Sequence, residues 1–167
     1  MYSCIVLDDD HVVCGCRDGS IHVWNWHNGE CMRRMEGHDD DVCGLCIVNE
    51  DHIMSGSVDG SIGVWQWREG VCKRNIQNAH NGKGVNCCTS LRGGEGRGVS
   101  GGWDHTLRIW DMSNGTCIRV LEGHTNGVNC CSMLNDYILI SGSNDDTIRI
   151  WLLHDIPPPT TNDDNDE

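Results

Sequence analysis

The chain has 167 residues, 21 of them glycine and none phenylalanine, with a formal net charge of −13. That length suits one domain with a sizeable core, and the acidic balance argues against nucleic acid or an anionic membrane as a partner and for a basic surface or peptide. No apolar run approaches the roughly 18 residues of a membrane span, and the start, MYSCIVLDDD, lacks the basic region of a signal peptide.

Glycine-rich, β-branched, short segments predict an all-β chain with many turns. Residues 1–7 read as the first strand, followed by an Asp8-Asp9-Asp10 turn. HVVCGC and SIHVWNW follow as strands, and Asn28-Gly29 makes a tight hairpin into CMRRME. The second unit begins after Gly37-His38 with DVCGLCIV, then HIMSGS, SIGVWQW, a turn at Gly70 and VCKRNIQ. The third follows Ala79-His80 with GVNCCTSL, GRGVSGG, TLRIWDM, an Asn114-Gly115 turn and TCIRVLE; RGGEGRG reads as an exposed loop tip. The fourth follows Gly123-His124 with GVNCCSML, YILISGS and TIRIWLL. The expected division is therefore four units over 1–36, 37–78, 79–122 and 123–153. A solvated tail over 154–167 follows, with Pro157-Pro158-Pro159 and an acidic end.

One phrase recurs: CGCRDGSIHVW ends at Trp24, SGSVDGSIGVW at Trp65, SGGWDHTLRIW at Trp110 and SGSNDDTIRIW at Trp151. The tryptophans lie 41, 45 and 41 residues apart, a period typical of propeller arrays. On these residues the chain resembles the WD-repeat β-propeller family, over nearly its whole length. The resemblance implies an all-β propeller of about four blades, three complete and the fourth lacking its outer strand, in an open or partial ring. Family propellers usually close with more blades. The expectation is thus a piece of a longer protein, a half-propeller completed by a second copy as a homodimer, or a strained small ring.

The family's blades, each of four strands named a to d in chain order, carry a buried tetrad: a His before strand a, a Ser or Thr of strand b, an Asp of the b–c turn and the Trp of strand c. By resemblance these are His38, Ser55, Asp59 and Trp65; His80, Ser100, Asp104 and Trp110; and His124, Ser141, Asp145 and Trp151. The first unit has Asp18 and Trp24, with Cys14 in place of the Ser, and the sequence starts after the place of its His. A polar chain buried in low dielectric ties the loop to the strands when every group is paired. His–Asp–Ser repeated three times is no catalytic triad, which is defined by geometry and roles, and no catalytic residue is expected.

The twelve cysteines invite a metal-binding or redox-responsive alternative. Their places argue against it. Cys31, Cys72 and Cys117 share one strand d position; Cys4, Cys88 and Cys131 share a strand a position that Leu45 fills in the second unit. Free Cys serves there as a small hydrophobe. Cys43-Gly44-Leu45-Cys46 is a C-x-x-C whose thiols alternate to opposite faces, and no second pair at ligand spacing exists. No metal and no cofactor are expected. Without a leader, so many thiols suit the cytoplasm or nucleus.

Arg33, Arg74 and Arg119 recur on strand d, where a basic side chain guards an edge strand. By resemblance, the residue before each tetrad Asp and the residue after the Val that opens strand a line a binding mouth. The first set is Arg17, Val58, Trp103 and Asn144; the second is Cys43, Asn86 and Asn129, with Tyr2 their first-unit counterpart. Trp and Arg are enriched in binding hot spots. The resulting expectation is a non-catalytic scaffold that binds a protein or peptide through the b–c and d–a loops. The family implies service as an adaptor or substrate receptor of a larger complex such as a ubiquitin ligase.

Overall fold

Four antiparallel meanders account for the secondary structure of the computed structural model, which describes residues 3–91, 96–154 and 156. The first sheet runs β1 (Ser3–Val6), β2 (His11–Gly15), β3 (Ile21–Asn25) and β4 (Glu30–Met35). The second has β5 (Val42–Ile47), β6 (His52–Ser57), β7 (Ile62–Gln66) and β8 (Val71–Ile76). The third has β9 (Val85–Ser90), β10 (Arg97–Gly102), β11 (Leu107–Asp111) and β12 (Thr116–Leu121). The fourth has three strands: β13 (Val128–Asn135), β14 (Ile138–Ser143) and β15 (Ile148–Leu152). In every sheet spatial order equals chain order, as short hairpin connections require. This is the expected all-β array of four blades, three of them complete. Most of the tail expected over 154–167 lies outside the described residues.

The hairpins follow from single residues. Gly29, Gly70 and Gly115 take φ of +71°, +74° and +80° at the c–d turns, a region that costs other residues steric strain. The c–d ladders each carry a bulge at the tryptophan, between Val23 and Trp24, Val64 and Trp65, and Ile109 and Trp110. A bulge raises local twist, and here it recurs at the strand c tryptophan of each complete blade.

The sheets pack in sequence, β1 beside β5, β5 beside β9 and β9 beside β13. Three apolar clusters fill the junctions. Ile21, Val23 and Met35 meet Leu45, Ile53, Trp65 and Trp67; Ile62 and Val64 meet Val85, Trp110 and Met112; Leu107 and Ile109 meet Val128, Met133, Leu139 and Leu153. The first and fourth sheets share no apolar cluster among the described residues. Among the described residues the array is therefore an open arc.

Two readings of the sequence need correction. Arg33 and Arg74 do more than guard an edge. Arg33 Nε donates to the Arg68 carbonyl at 3.2 Å and Arg74 Nη2 to the Ser113 carbonyl at 2.7 Å, each on the next sheet's c–d turn. Their methylene stems lie along Gly70 and Gly115, so each arginine ties one blade to its successor. Cys4 of the strand a set is exposed rather than a core residue, and so are the strand d cysteines, Cys31, Cys72 and Cys117. The strand d thiols donate to the carbonyls of Arg33, Arg74 and Arg119 two residues on.

Candidate partner-binding face

The second, third and fourth sheets each hold a buried hydrogen-bonded chain that fixes one loop face. In the third, Trp110 Nε1 donates to Ser100 Oγ at 2.8 Å, Ser100 lies 2.7 Å from His80 Nε2, and His80 Nδ1 lies 2.7 Å from Asp104. An ionised Asp104 accepts from Nδ1–H, which leaves Nε2 to accept the serine proton and Ser Oγ to accept the indole N–H. Every group in that relay is satisfied with a neutral imidazole. The fourth sheet repeats it with Trp151, Ser141, His124 and Asp145 at 2.9, 2.8 and 2.8 Å. In the second, Trp65, Ser55 and His38 follow at 2.7 and 2.6 Å, but His38 Nδ1 lies 2.8 Å from Ser61 Oγ and 3.3 Å from Asp59.

The carboxylates also hold the loops. Asp59 and Asp145 accept the backbone N–H of Asp39 and Thr125 at 2.9 Å each, in the loop before strand a. Burial pushes the carboxyls of Asp59 and Asp104 upward. Bonds from the histidine, the neighbouring hydroxyl and backbone N–H groups outweigh it, and both sit well below the ordinary carboxylate range. Asp145 is held low first by the Thr147 hydroxyl. That hydroxyl is a fifth member which the four-residue reading omits: Ser61, Thr106 and Thr147 stand beside their Asp. The signal was in the sequence as Asp-x-Ser/Thr in all four units, Asp18-Gly19-Ser20 included. In the first sheet Asp18 pairs with Ser20 and Arg34, and Cys14 takes the serine's place, its thiol 3.5 Å from Cys4.

The loops so fixed bring together most residues expected at the mouth. One backbone bond recurs from b–c turn to preceding loop: Val58 N–H to Asp41, Trp103 N–H to Gly84 and Asn144 N–H to Gly127, at 2.9–3.0 Å. Trp103 remains 49% exposed, with its indole across two glycines. A Cβ at Gly84 or Gly127 would stand 3.5 or 3.4 Å from the ring. Beside it the amides link: Asn86 donates to the Val128 carbonyl at 3.0 Å and to Asn129, and Asn129 donates to Asn144. Val58 lies under Gly84. Thus Val58, Trp103, Asn86, Asn129 and Asn144 form one continuous surface.

Arg17 is exposed on the turn between β2 and β3, two sheets from Trp103. Cys43 is half-buried, and burial, with the charges of Asp41 and Asp40, raises its thiol above the ordinary range. Tyr2 lies outside the described residues. The sequence reading passed over Asp39 and Asp40, both exposed on the loop that holds Val58. Asp39-Asp40-Asp41 directly after Gly37-His38 was the available signal.

The cysteines divide by burial. Cys14 and Cys46 are pushed up to about 12, chiefly by burial, and Cys88 also lies well above its ordinary value. Among the described residues no three His, Cys, Asp or Glu side chains are grouped as metal ligands would be.

The family profile for the WD domain, G-beta repeat, matches residues 3–25, 29–66, 70–111 and 115–151. No curated protein matches the chain. With four matches over most of its length, the chain belongs to the WD-repeat family, whose domains generally bind protein partners and are typically non-catalytic scaffolds.

Proposed function

We propose that this WD-repeat chain is a non-catalytic docking module that captures a basic peptide segment on the b–c and d–a loop face. The observation that carries the reading is Trp103, half-exposed across two glycines and flanked by the Asn86–Asn129–Asn144 amides. An aromatic anchor held in place loses little entropy on binding. The amides offer donors and acceptors to a peptide backbone. Asp39 and Asp40 on the adjacent loop, within a chain of net charge −13, select a basic partner and repel nucleic acid and anionic membranes. Arg17 would contact the partner's far end.

Such a module acts in the cytoplasm or nucleus as a subunit of a larger assembly. A substrate receptor of a ubiquitin ligase is one role that fits, and the chain itself would be no enzyme. The repeats favour this reading, since the His–Ser–Asp sets are spent on holding loops.

The test is capture of basic peptides from an array by wild-type chain and by Trp103→Ala. Loss of an anchor on this scale costs about 2 kcal/mol or more, at least a tenfold weaker Kd. Equal binding by both proteins, with unchanged melting, removes this face from consideration.

A further inference from the structure

Each packed junction joins the same two half-surfaces. The earlier sheet gives a forward half, whose centre is Ile21 and Val23, Ile62 and Val64, or Leu107 and Ile109. The later sheet gives a rear half, which includes Ile53 and Trp67 in the second sheet and Leu139 and Leu153 in the fourth. The fourth sheet carries a further forward half, and the first sheet a further rear half.

The fourth sheet's forward half is bare. Ile148 and Ile150 stand where Ile62 and Val64 stand in the second sheet. Ile62 is 0% exposed and Ile148 76%; Val64 is 4% and Ile150 66%. Leu134 and Leu152 extend the patch. The first sheet's rear half is bare too. Trp26 donates its indole N–H to the Asp9 carbonyl as Trp67 does to Glu50, yet Trp26 is 55% exposed and Trp67 5%. With Val6 and Val12, and with Asp8 and Asp9 at its side, it lines a shallow groove of about 330 Å³.

We propose that the forward half on β13–β15 packs on the rear half on β1–β3 of a second copy, and that two copies joined at both ends close one ring. The occupant is a second copy because these halves already fit each other three times within the chain. Bare apolar patches of this kind mark interfaces. The contact is head-to-tail, so it propagates unless a ring closes, and a dimer covers all four bare halves. Among the described residues the fourth sheet has no outer strand, so each new junction forms without the residue that Met35, Ile76 and Leu121 contribute inside the chain. Two junctions acting together offset that loss, because forming the first makes the second intramolecular. The proposal is independent of the loop-face reading, and Trp103→Ala leaves the dimer intact.

Light scattering behind size exclusion tests it on the whole chain. The expected mass is about twice the 18.6 kDa of one chain. Ile150→Asp and Val6→Asp, each at a site exposed within one chain, should each halve that mass without altering circular dichroism. A monomeric wild type, a species larger than a dimer, or a dimer that survives Val6→Asp overturns the proposal; the last would mean a symmetric contact through the fourth sheet alone. Hydroxyl-radical labelling of the wild type needs no variant. Labelling of Ile150 and Trp26 should fall several-fold together in the dimer and return together on dilution, and protection of only one of them refutes a head-to-tail contact.

Discussion

Removing one oxygen atom separates the two roles a buried serine can play. Ser100 is fully buried and its Oγ serves both Trp110 Nε1 and His80 Nε2. Ser100→Ala leaves a buried donor and a buried acceptor without partners. Each such orphan costs about 1–3 kcal/mol. Some relaxation of the ring positions is expected, so the variant should lose about 2–4 kcal/mol, a large share of a typical 5–15 kcal/mol total. Ser141→Ala makes the same change in the fourth sheet, where Trp151 is only partly buried. Water can reach that indole, so only the buried His124 Nε2 is left without a partner, and the expected loss is about 1–2 kcal/mol, near half of that for Ser100→Ala. Urea unfolding followed by tryptophan fluorescence gives both values. If Ser141→Ala costs as much as Ser100→Ala, burial does not set the penalty and the relay account fails.

Two further outcomes follow from the same geometry. The depressed carboxyls of Asp59 and Asp104 stabilise the fold fully above the unfolded carboxylate pKa of about 4. That stabilisation is lost as pH falls below it, toward the folded values. Asp104→Asn should therefore melt well below wild type at pH 7, with the gap narrowing as the pH drops from about 5 to 2; a constant gap would show that Asp104 acts by shape alone. Gly19 has φ of +80°, and a Cβ there would overlap the carbonyl oxygen of His38. Gly19→Ala should cost about 2 kcal/mol or more by strain and clash together, whereas Gly29→Ala, with the space around it open, should cost only the strain. Equal melting temperatures for the two would contradict that distinction.

The repeat made most of the fold legible because its chemistry is local. A Trp, an Asp seldom found elsewhere in a strand pair, and a turn glycine at fixed offsets define strand c, the b–c turn and the c–d hairpin without reference to any neighbour. The shared loop face of Val58, Trp103, Asn86, Asn129 and Asn144 was legible for a similar reason: these residues flank the tetrad members, and the tetrads fix the loops. Asp39 and Asp40 escaped because acidic residues in a loop usually mean solvation, and only the bond from Val58 N–H to Asp41 places their loop beside the Val58 turn. Arg33 was misread for the opposite reason. Its position on an outer strand was clear, but its reach to Arg68 depends on a neighbouring blade that strand periodicity does not describe.

Burial shows most sharply what a repeat conceals. Ile62 and Ile148 stand in matching phrases, SIGVW and TIRIW, at the same ladder position beside Gly56 and Gly142. Nothing within either segment distinguishes a core residue from a surface one. What differs is the next sheet, because each blade of an array completes only half of a junction and depends on its neighbour for the other half. The same holds for Trp26 and Trp67, identical in hydrogen bonding and opposite in exposure. Apolar residues that the local pattern assigns to a core, and that the arc leaves in solvent, define a complementary surface with known shape and register. A solvent-adapted end blade would carry polar residues at those places, as capping repeats do; this chain keeps Ile148, Ile150, Val6 and Trp26 there, which is the composition of a junction rather than of a cap.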